Sequence, residues 1–227
     1  MLALPVLTGC GRPDGSALTA EQGRAVPRAH GPQRLWPDRP PAAPTGDEDA
    51  EGPGPVPVPG LPVPSGDLHD VTALAVLRAD LAATRTGDDD CADRADRADT
   101  DPLAEALAGC DRHPVGPAAG CAVRPAAYRD LTGDGLDELI LGVDLPDGQL
   151  DVRVYTLHDG ALARIMDTTQ RVLSVDLTAR KVIIRSTGGG PDAEHRDEWA
   201  WCEDRRAMRP RLMEIVRPTD PPRTAAS

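Results

Sequence analysis

The side chains best suited to chemistry lie in the stretch Asp-Leu-Thr-Gly-Asp-Gly-Leu-Asp-Glu-Leu-Ile-Leu-Gly, which covers residues 130 to 142. Oxygen-bearing side chains occur there at Asp130, Thr132, Asp134 and Glu138, which are positions one, three, five and nine. A hard cation such as Ca²⁺ binds roughly six to eight oxygen ligands at about 2.4 Å, and alternate residues of a tight loop can supply several of them. We therefore expect these four residues to hold a structural Ca²⁺ ion.

Glycine positions and the following residues indicate what kind of loop this is. Gly133 and Gly135 permit the positive φ angles that a tight turn around a cation needs. An EF-hand is excluded, because it requires a bidentate glutamate at position twelve and flanking helices, whereas Leu141 stands there in an apolar run typical of a strand. The alternative, which the sequence leaves open, is an Asp/Gly-rich hairpin turn that binds no metal.

The spacing resembles the calcium loop of FG-GAP and VCBS-type β repeats, in which D-x-D-x-D-G-x-x-D/E precedes a hydrophobic strand. Thr132 stands where those repeats usually carry Asp or Asn, so the resemblance implies a weaker site with one charge fewer. It also implies that the loop stabilises a β unit. A multi-bladed propeller is not expected, because such a fold repeats its motif at a fixed period and this chain has one copy.

The beginning of the chain has the features of an exported, lipid-anchored protein. Leu7-Thr-Gly-Cys10 matches a bacterial lipobox, which predicts that Cys10 receives diacylglycerol. No Lys or Arg precedes Cys10, although a secretory signal has a basic first region. We therefore expect residues 1–10 to be the end of a lipoprotein signal whose true start lies upstream. A chance occurrence of these four residues is the alternative.

Residues 11–66 are predicted to be a disordered, proline-rich tether. They contain 13 of the 24 prolines and almost no bulky apolar residues, so they cannot bury a hydrophobic core. The run from residue 52 to residue 64 favours extended, polyproline-II-like conformations. Such a tether would hold a domain clear of a membrane. A second disordered segment is expected at residues 219–227.

Composition and motifs argue against nucleic-acid binding and against catalysis. The formal net charge is −12, so no strongly basic surface is expected. The sequence has no nucleophile elbow, phosphate-binding loop or dinucleotide fingerprint. We therefore do not expect an enzyme. The histidines show no metal-ligand spacing and lie at His30, His69, His113, His158 and His195.

Five cysteines are present, and four remain for disulfides if Cys10 carries lipid. An even number in an exported protein favours two disulfides, with three possible connectivities. We favour Cys110–Cys121, because a Pro/Gly-rich segment lies between them, and this leaves Cys91 to pair with Cys202. A zinc site is not expected, because paired C-x2-C or C-x2-H spacings are missing.

Residues 67–109 are predicted to be a helical segment that contains an acidic loop. The first helix covers residues 67 to 83, with Asp67 suited to capping it. A second, short helix is expected from Pro102 to Ala108, since proline suits a first helical turn. The first helix should pack its apolar stripe on the sheet that follows, and this stripe comprises Val71, Leu74, Leu77 (or Val76) and Leu81.

Residues 110–218 are predicted to form a β domain, because alternating short strands and turn signals begin near Cys121. Bulky core is expected from Ile183, Trp199, Trp201, Met213 and Ile215. The predicted fold is α+β, mainly antiparallel β. The expected strands are Cys121–Arg129, Glu138–Asp144, Gln149–His158, Ala161–Thr168, Arg171–Leu177, Lys181–Ser186, Glu194–Glu203 and Ala207–Val216.

The β domain resembles the CseA lipoproteins of streptomycetes. The resemblance rests on residues 128–143, 150–155, 164–166 and 172–175, and the LTGC box and proline-rich segment also fit that family. It implies an extracytoplasmic lipoprotein that restrains a cell-envelope stress system of sensor histidine kinase, response regulator and extracytoplasmic-function sigma factor. The implied partner is the outer domain of the sensor kinase. The alternative function is a surface module that binds wall glycan or another envelope ligand.

Overall fold

The fold has three layers: two short helices, a five-stranded sheet beneath them, and a second five-stranded sheet beneath the first. The computed structural model describes residues 31–42, 54–87, 101–111, 120–187 and 193–216. All strand pairs are antiparallel. The predicted fold class, α+β with mainly antiparallel β structure, is therefore confirmed.

The helices and strands follow one another in an order close to the predicted one. The helices are α1 (Ala73–Gly87) and α2 (Pro102–Ala108). The strands are β1 (Gln33–Leu35), β2 (Val56–Pro57), β3 (Ala127–Arg129), β4 (Glu138–Asp144), β5 (Leu150–His158), β6 (Ala161–Gln170), β7 (Val172–Thr178), β8 (Lys181–Thr187), β9 (Glu194–Cys202) and β10 (Ala207–Val216).

Two sheets divide these strands. The helix-side sheet has the order β2-β6-β5-β4-β3, and the outer sheet has the order β1-β7-β8-β9-β10. The predicted first strand is much shorter than expected: Cys121–Arg129 contributes only β3, apart from a single bridge between Val123 and Val143. The remaining predicted strands agree with the observed ones to within a residue or two.

Both faces of the helix-side sheet are buried, and this explains the unbroken apolar runs in its central strands. In β5, Val152 and Val154 pack against the outer sheet, whereas Tyr155 and Leu157 pack toward the helices. β4 is buried along nearly its whole length for the same reason. A strand covered on both sides has no solvated face, so it does not need polar residues at alternate positions.

The predicted core is correct in its centre and wrong at one edge. Trp199 is fully buried between the sheets, as expected. Met213 and Ile215, by contrast, are 55% and 58% exposed. They lie on β10, which is the edge strand of the outer sheet and has a neighbour on one side only among the described strands. Their apolar character predicted burial, but they lie beyond the register shift between Pro210 and Leu212, in the half of the strand that the core does not cover, whereas Met208 before the shift is buried.

Helix α1 starts later than predicted, but the predicted apolar stripe does pack on the core: Leu77 is fully buried, and Val71, Leu74 and Leu81 are partly buried against it. Asp67 caps a short 3₁₀ turn at residues 68–70 instead of the α-helix, and α1 begins at Ala73. The buried residues on α1 follow helical spacing, as an amphipathic helix requires, and the last of them is charged. They are Ala73, Val76, Leu77 and Asp80.

Asp80 is the centre of a buried ionic cluster that joins α1 to the helix-side sheet. Its carboxylate accepts hydrogen bonds at 2.7 Å from Arg153, from Arg164 and from the hydroxyl of Tyr155. Arg153 also pairs with Asp151 at 2.9 Å, and Arg164 with Asp167 at 3.3 Å. The cluster neutralises most of its own charge within the layer between helix and sheet.

Two segments of the predicted tether belong to the fold. β1 pairs with β7 at one edge of the outer sheet, and β2 pairs with β6 at one edge of the helix-side sheet. Proline is compatible with β2 because an edge strand has a side that needs no ladder hydrogen bond. The tether predicted for residues 11–66 is therefore wrong for residues 31–42 and 54–66, and its other parts lie outside the described residues.

A tryptophan and two arginines fasten the segment around β1. The indole of Trp36 lies over Gly142 and donates to the carbonyl of Pro125 at 2.8 Å. A Cβ at residue 142 would lie 2.6 Å from the ring, so only glycine fits beneath it. Arg39 and Arg124 both bond the carboxylate of Asp144, at 2.9 and 2.6 Å. These contacts make the segment part of the fold.

The disulfide predicted between Cys110 and Cys121 is present and ties the end of α2 to the start of the β domain. Both cysteines are buried in the core beneath the helices. Cys202 carries a free thiol in the described part of the chain, and Cys91 lies outside it, so their predicted pairing stays a prediction. Within the described residues, neither helix is long and apolar enough to cross a membrane.

Replacing Asp80 by asparagine should destabilise the protein by about 3–5 kcal/mol, because it removes the countercharge that the buried Arg153 and Arg164 share between helix and sheet. Chemical denaturation measures this loss. The matched control is Asp176→Asn, which removes the ion pair with the half-exposed Arg34 and should cost less than about 1 kcal/mol. Equal losses in the two variants would contradict the assigned role of Asp80.

The loss caused by Asp80→Asn should also depend on pH. Burial raises the pKa of Asp80, but the charges of Arg153 and Arg164 and the hydrogen bonds outweigh it, so the pKa is lowered. Such a carboxylate contributes stability that is complete above the unfolded pKa of about 3.9 and is lost as pH falls through the folded pKa. The difference between parent and variant should therefore be constant near neutrality and shrink in acid.

Candidate functional site

The loop between β3 and β4 holds all four predicted metal ligands and connects two paired strands. Gly133 and Gly135 have φ angles of 89° and 92°, so the turn uses the backbone conformations that the glycines were expected to supply. Arg180, from the turn between β7 and β8, covers Gly133 closely enough that a Cβ there would overlap its guanidinium. The loop is thus held between the helix-side sheet and a turn of the outer sheet.

Glu138 closes this loop from the inside. Its side chain is buried, with 1% exposure, and one carboxylate oxygen accepts from the backbone N–H groups of Leu131 and Thr132 at 2.6 and 3.0 Å. The other oxygen accepts from the hydroxyls of Thr156 and Thr132 at 2.9 and 3.3 Å. Both oxygens of the predicted ninth ligand are therefore occupied by donors of the protein itself.

Burial raises the pKa of Glu138, whereas the hydrogen bonds from Leu131, Thr132 and Thr156 lower it by less. The net result is a pKa above the ordinary glutamate value. The nearby charge of Asp134 acts in the same direction as burial. The loop therefore holds a carboxylate whose ionised form is costly, although several donors point at it.

The other predicted carboxylate ligands also bond their own loop. Asp130 accepts from the N–H of Gly133 at 2.5 Å, and Asp134 accepts from the N–H of Leu136 at 2.8 Å. In the described part of the chain, no group of three or more His, Cys, Asp or Glu side chains is placed to hold a metal. The donor set fits a hard cation in kind, but Glu138 faces inward. The calcium site stays a prediction.

An exposed aromatic stack lies beside the loop. The rings of His69 and Tyr128 are stacked with centroids 3.8 Å apart, and His69 lies 3.3 Å from a carboxylate oxygen of Asp137. Burial and the charge of Asp67 raise the pKa of Tyr128. This contact joins the turn before α1 to the loop. The sequence did not indicate this stacking contact, because it showed His69 only as a histidine without metal-ligand spacing.

A cleft of about 550 Å³ opens on the other side of the loop, between the edge of the helix-side sheet and the turn that follows β9. Its floor is mostly apolar, and polar side chains stand at its margin. The lining residues that matter for its chemistry are the apolar Pro55, Pro57, Ala163 and Trp201 and the polar Thr132, Asp134, His158, Glu203 and Arg206.

Trp201 is the aromatic residue of this cleft. It is half-buried, packs against the inter-sheet core, and donates from its indole Nε1 to the Glu203 carboxylate at 2.7 Å. The sequence predicted Trp201 only as a residue of the hydrophobic core. β9 alternates its side chains, so the position of Trp201 two residues after the buried Trp199 was a sound signal for the inner face. Only the tertiary structure shows that this face ends in an open cleft there.

Comparisons with protein-family models, curated proteins and solved structures found no match. The resemblance to the CseA lipoproteins therefore remains a hypothesis. Cys10 and Cys91 lie outside the described residues, and Cys202 lies at the end of β9. The loop and the adjoining cleft share Thr132 and Asp134 and together form one candidate binding region.

Two substitutions of Glu138 should show whether the loop requires a hydrogen-bond acceptor or a negative charge at this position. Glu138→Gln keeps an oxygen for the two backbone donors and should change stability by less than about 1 kcal/mol at neutral pH. Glu138→Ala leaves the N–H groups of Leu131 and Thr132 without a partner and should cost roughly 2–4 kcal/mol. Urea denaturation of both variants measures the difference.

The pH dependence of the Gln variant provides a second test. Because the folded pKa of Glu138 is raised, its stability contribution is complete below the unfolded pKa of about 4.3 and is lost as pH rises through the folded pKa. Glu138→Gln should therefore gain relative to the parent as pH rises from about 4 to 7. A relative loss over this range would contradict the buried-carboxyl interpretation.

Proposed function

We propose that the protein is a membrane-anchored extracytoplasmic lipoprotein that acts as a negative regulator of a cell-envelope stress system. In this proposal its partner is the outer domain of a sensor histidine kinase, which acts through a response regulator and an extracytoplasmic-function sigma factor. The disulfide between Cys110 and Cys121 supports the compartment most directly, since disulfides persist in oxidising, exported environments. The lipobox-like LTGC and the resemblance to the CseA lipoproteins support the anchor and the regulatory role.

The fold changes how far from the membrane this regulator would act. The strand β1 belongs to the outer sheet, so the separation between Cys10 and the fold is set by residues 11–30 and not by the whole range to residue 66. The proposal takes residues 11–30 as the predicted tether, and a flexible segment of about 20 residues has a mean end-to-end distance of roughly 25 Å. The partner surface is therefore expected close to the membrane, in the part of a sensor's outer domain nearest the bilayer.

Deleting the gene should raise the output of an envelope-stress reporter in the cells that produce the protein. The parent chain should restore the low output, whereas Cys10→Ala should fail to restore it, because the domain would leave the membrane. Palmitate labelling should be present in the parent and absent in the variant. An unchanged reporter after deletion would reject the regulatory role, and labelling of Cys10→Ala would reject the anchor position.

We further propose that the loop from Asp130 to Glu138 binds a structural Ca²⁺ ion. Asp130, Thr132 and Asp134 lie at the loop surface with side-chain oxygens, and the fourth proposed ligand, Glu138, would have to exchange hydrogen bonds for the ion. When bound, the ion would add positive charge beside a carboxylate whose ionisation is costly. The proposed role is to stiffen the margin of the cleft.

Calcium should raise the melting temperature of the parent protein, and Asp134→Asn should remove this rise because it deletes a ligand charge. Asp147→Asn is the matched control. Asp147 also accepts a hydrogen bond from its own turn, from the N–H of Gln149 at 3.1 Å, but it lies in the β4–β5 turn. The control should keep the calcium response, and a parent protein without any response would leave the loop as a hydrogen-bonded turn.

A second candidate function is a cell-surface binding module for wall glycan. The cleft beside the loop favours it, because a concave apolar floor with a few convergent polar groups is the usual form of a ligand site. Sedimentation of the protein with purified peptidoglycan tests this candidate. A protein that stays in the supernatant at all wall concentrations would reject it and leave the regulatory proposal untouched.

A further inference from the structure

We infer that the cleft next to the loop is a saccharide-binding site, with the face of Trp201 as its platform and a neutral oligosaccharide as its ligand. This inference rests on the second candidate function, the binding of wall glycan, and assigns it a site. The volume of about 550 Å³ lies within the range of sites for small ligands, roughly 300–1,000 Å³.

The floor of the cleft suits the apolar face of a sugar ring. A pyranose exposes C–H groups on one face, and these pack on the face of an aromatic ring, whereas its hydroxyl groups point outward. Trp201 supplies such a face, and its indole is fixed by the hydrogen bond to Glu203 at 2.7 Å. Pro55, Pro57 and Ala163 also line the cleft and keep accessible apolar surface, against which an acetamido methyl group can pack.

Trp201 is the one tryptophan of the three in the chain that is available for this role. Trp199 is fully buried between the sheets, and Trp36 is 8% exposed and packed over Gly142. Trp199 and Trp36 are therefore part of the packed interior and are not accessible to a ligand. Trp201 belongs to the partly buried residues at the margin of the core, and it lines the cleft.

The margin of the cleft carries charges of both signs. Asp134 and Glu203 offer acceptors, whereas Arg206 offers donors. The hydroxyl of Thr132 donates its proton to Glu138 and can therefore only accept from a ligand. A cationic ligand would meet Arg206, and an anionic ligand would meet the two carboxylates. A neutral ligand whose hydroxyl groups both donate and accept can use each of these groups, which favours a sugar over a charged or purely apolar molecule.

The position of the cleft also links ligand binding to the loop. Thr132 and Asp134 line the cleft, and Thr156 both lines it and donates to Glu138 inside the loop. A bound ligand therefore contacts the same segment that Glu138 holds closed. The residues at the margin of the site therefore lie on a segment that hydrogen bonds already hold in place. Little further ordering of this segment is required when a ligand binds, which lowers the entropic cost of binding.

The experiment is calorimetric titration of the full chain with a neutral N-acetylglucosamine oligomer, together with sedimentation on purified wall. The parent should bind the oligomer with an affinity that changes little between low and high salt, because the ligand carries no charge. Trp201→Ala should weaken binding roughly tenfold or more, whereas Trp201→Phe should retain part of it.

A second variant keeps the tryptophan and blocks the space in front of it. Ala161 is exposed at the cleft, so Ala161→Trp should abolish binding while leaving the melting temperature near that of the parent. Trp36→Phe is the control for loss of a tryptophan elsewhere.

The outcomes separate the site from the function. A parent that binds wall and is unaffected by Trp201→Ala and Ala161→Trp would overturn the cleft assignment but keep the glycan function. A parent that binds neither wall nor oligomer would overturn both. Binding of proline-rich peptide in the cleft without binding of the oligomer would overturn the ligand class.

Discussion

The carboxylate of Asp80 is the interaction on which the packing of α1 against the helix-side sheet depends. It lies fully buried between α1 and the helix-side sheet, where an unpaired charge would be prohibitively costly. Three donors from two strands meet it at 2.7 Å, and they fix the rotation of the helix and its position along the sheet. Apolar packing alone is compatible with several positions of the helix on the sheet. The buried ionic cluster is compatible only with the position in which its charges are paired and its hydrogen bonds are made.

Glu138 organises the loop by the same principle, on a smaller scale. A carboxylate placed at the start of β4 collects two backbone N–H groups and two hydroxyls from the turn around it. The loop thereby closes around an anion supplied by the chain. The proposed cation would compete with these donors for Glu138, which links metal binding, the protonation of Glu138 and the shape of the cleft margin.

Much of the fold was accessible from local pattern. The strand limits Glu138–Asp144 and Ala207–Val216 are those predicted, because apolar runs between turn residues mark strands reliably in an antiparallel sheet. The disulfide between Cys110 and Cys121, which was favoured among three connectivities because a Pro/Gly-rich segment separates the two cysteines, is present. The errors concern residues whose environment is set by distant segments. Met213 and Ile215 look like core but lie at a sheet edge, and the proline-rich segment looks like a tether but supplies two edge strands.

The sequence by itself determined the order of the two helices and of strands β3 to β10, the loop with its oxygen-bearing residues, and the lipobox-like start, because these depend on neighbours in the chain. Only the tertiary structure decided that Asp80 has two arginine partners 73 and 84 residues away, that Glu138 faces inward, and that Trp201 lines a cleft. Side-chain environment depends on which surfaces meet. Which surfaces are in contact is decided by how the helices and the two sheets pack on one another, and no short stretch of sequence specifies that packing.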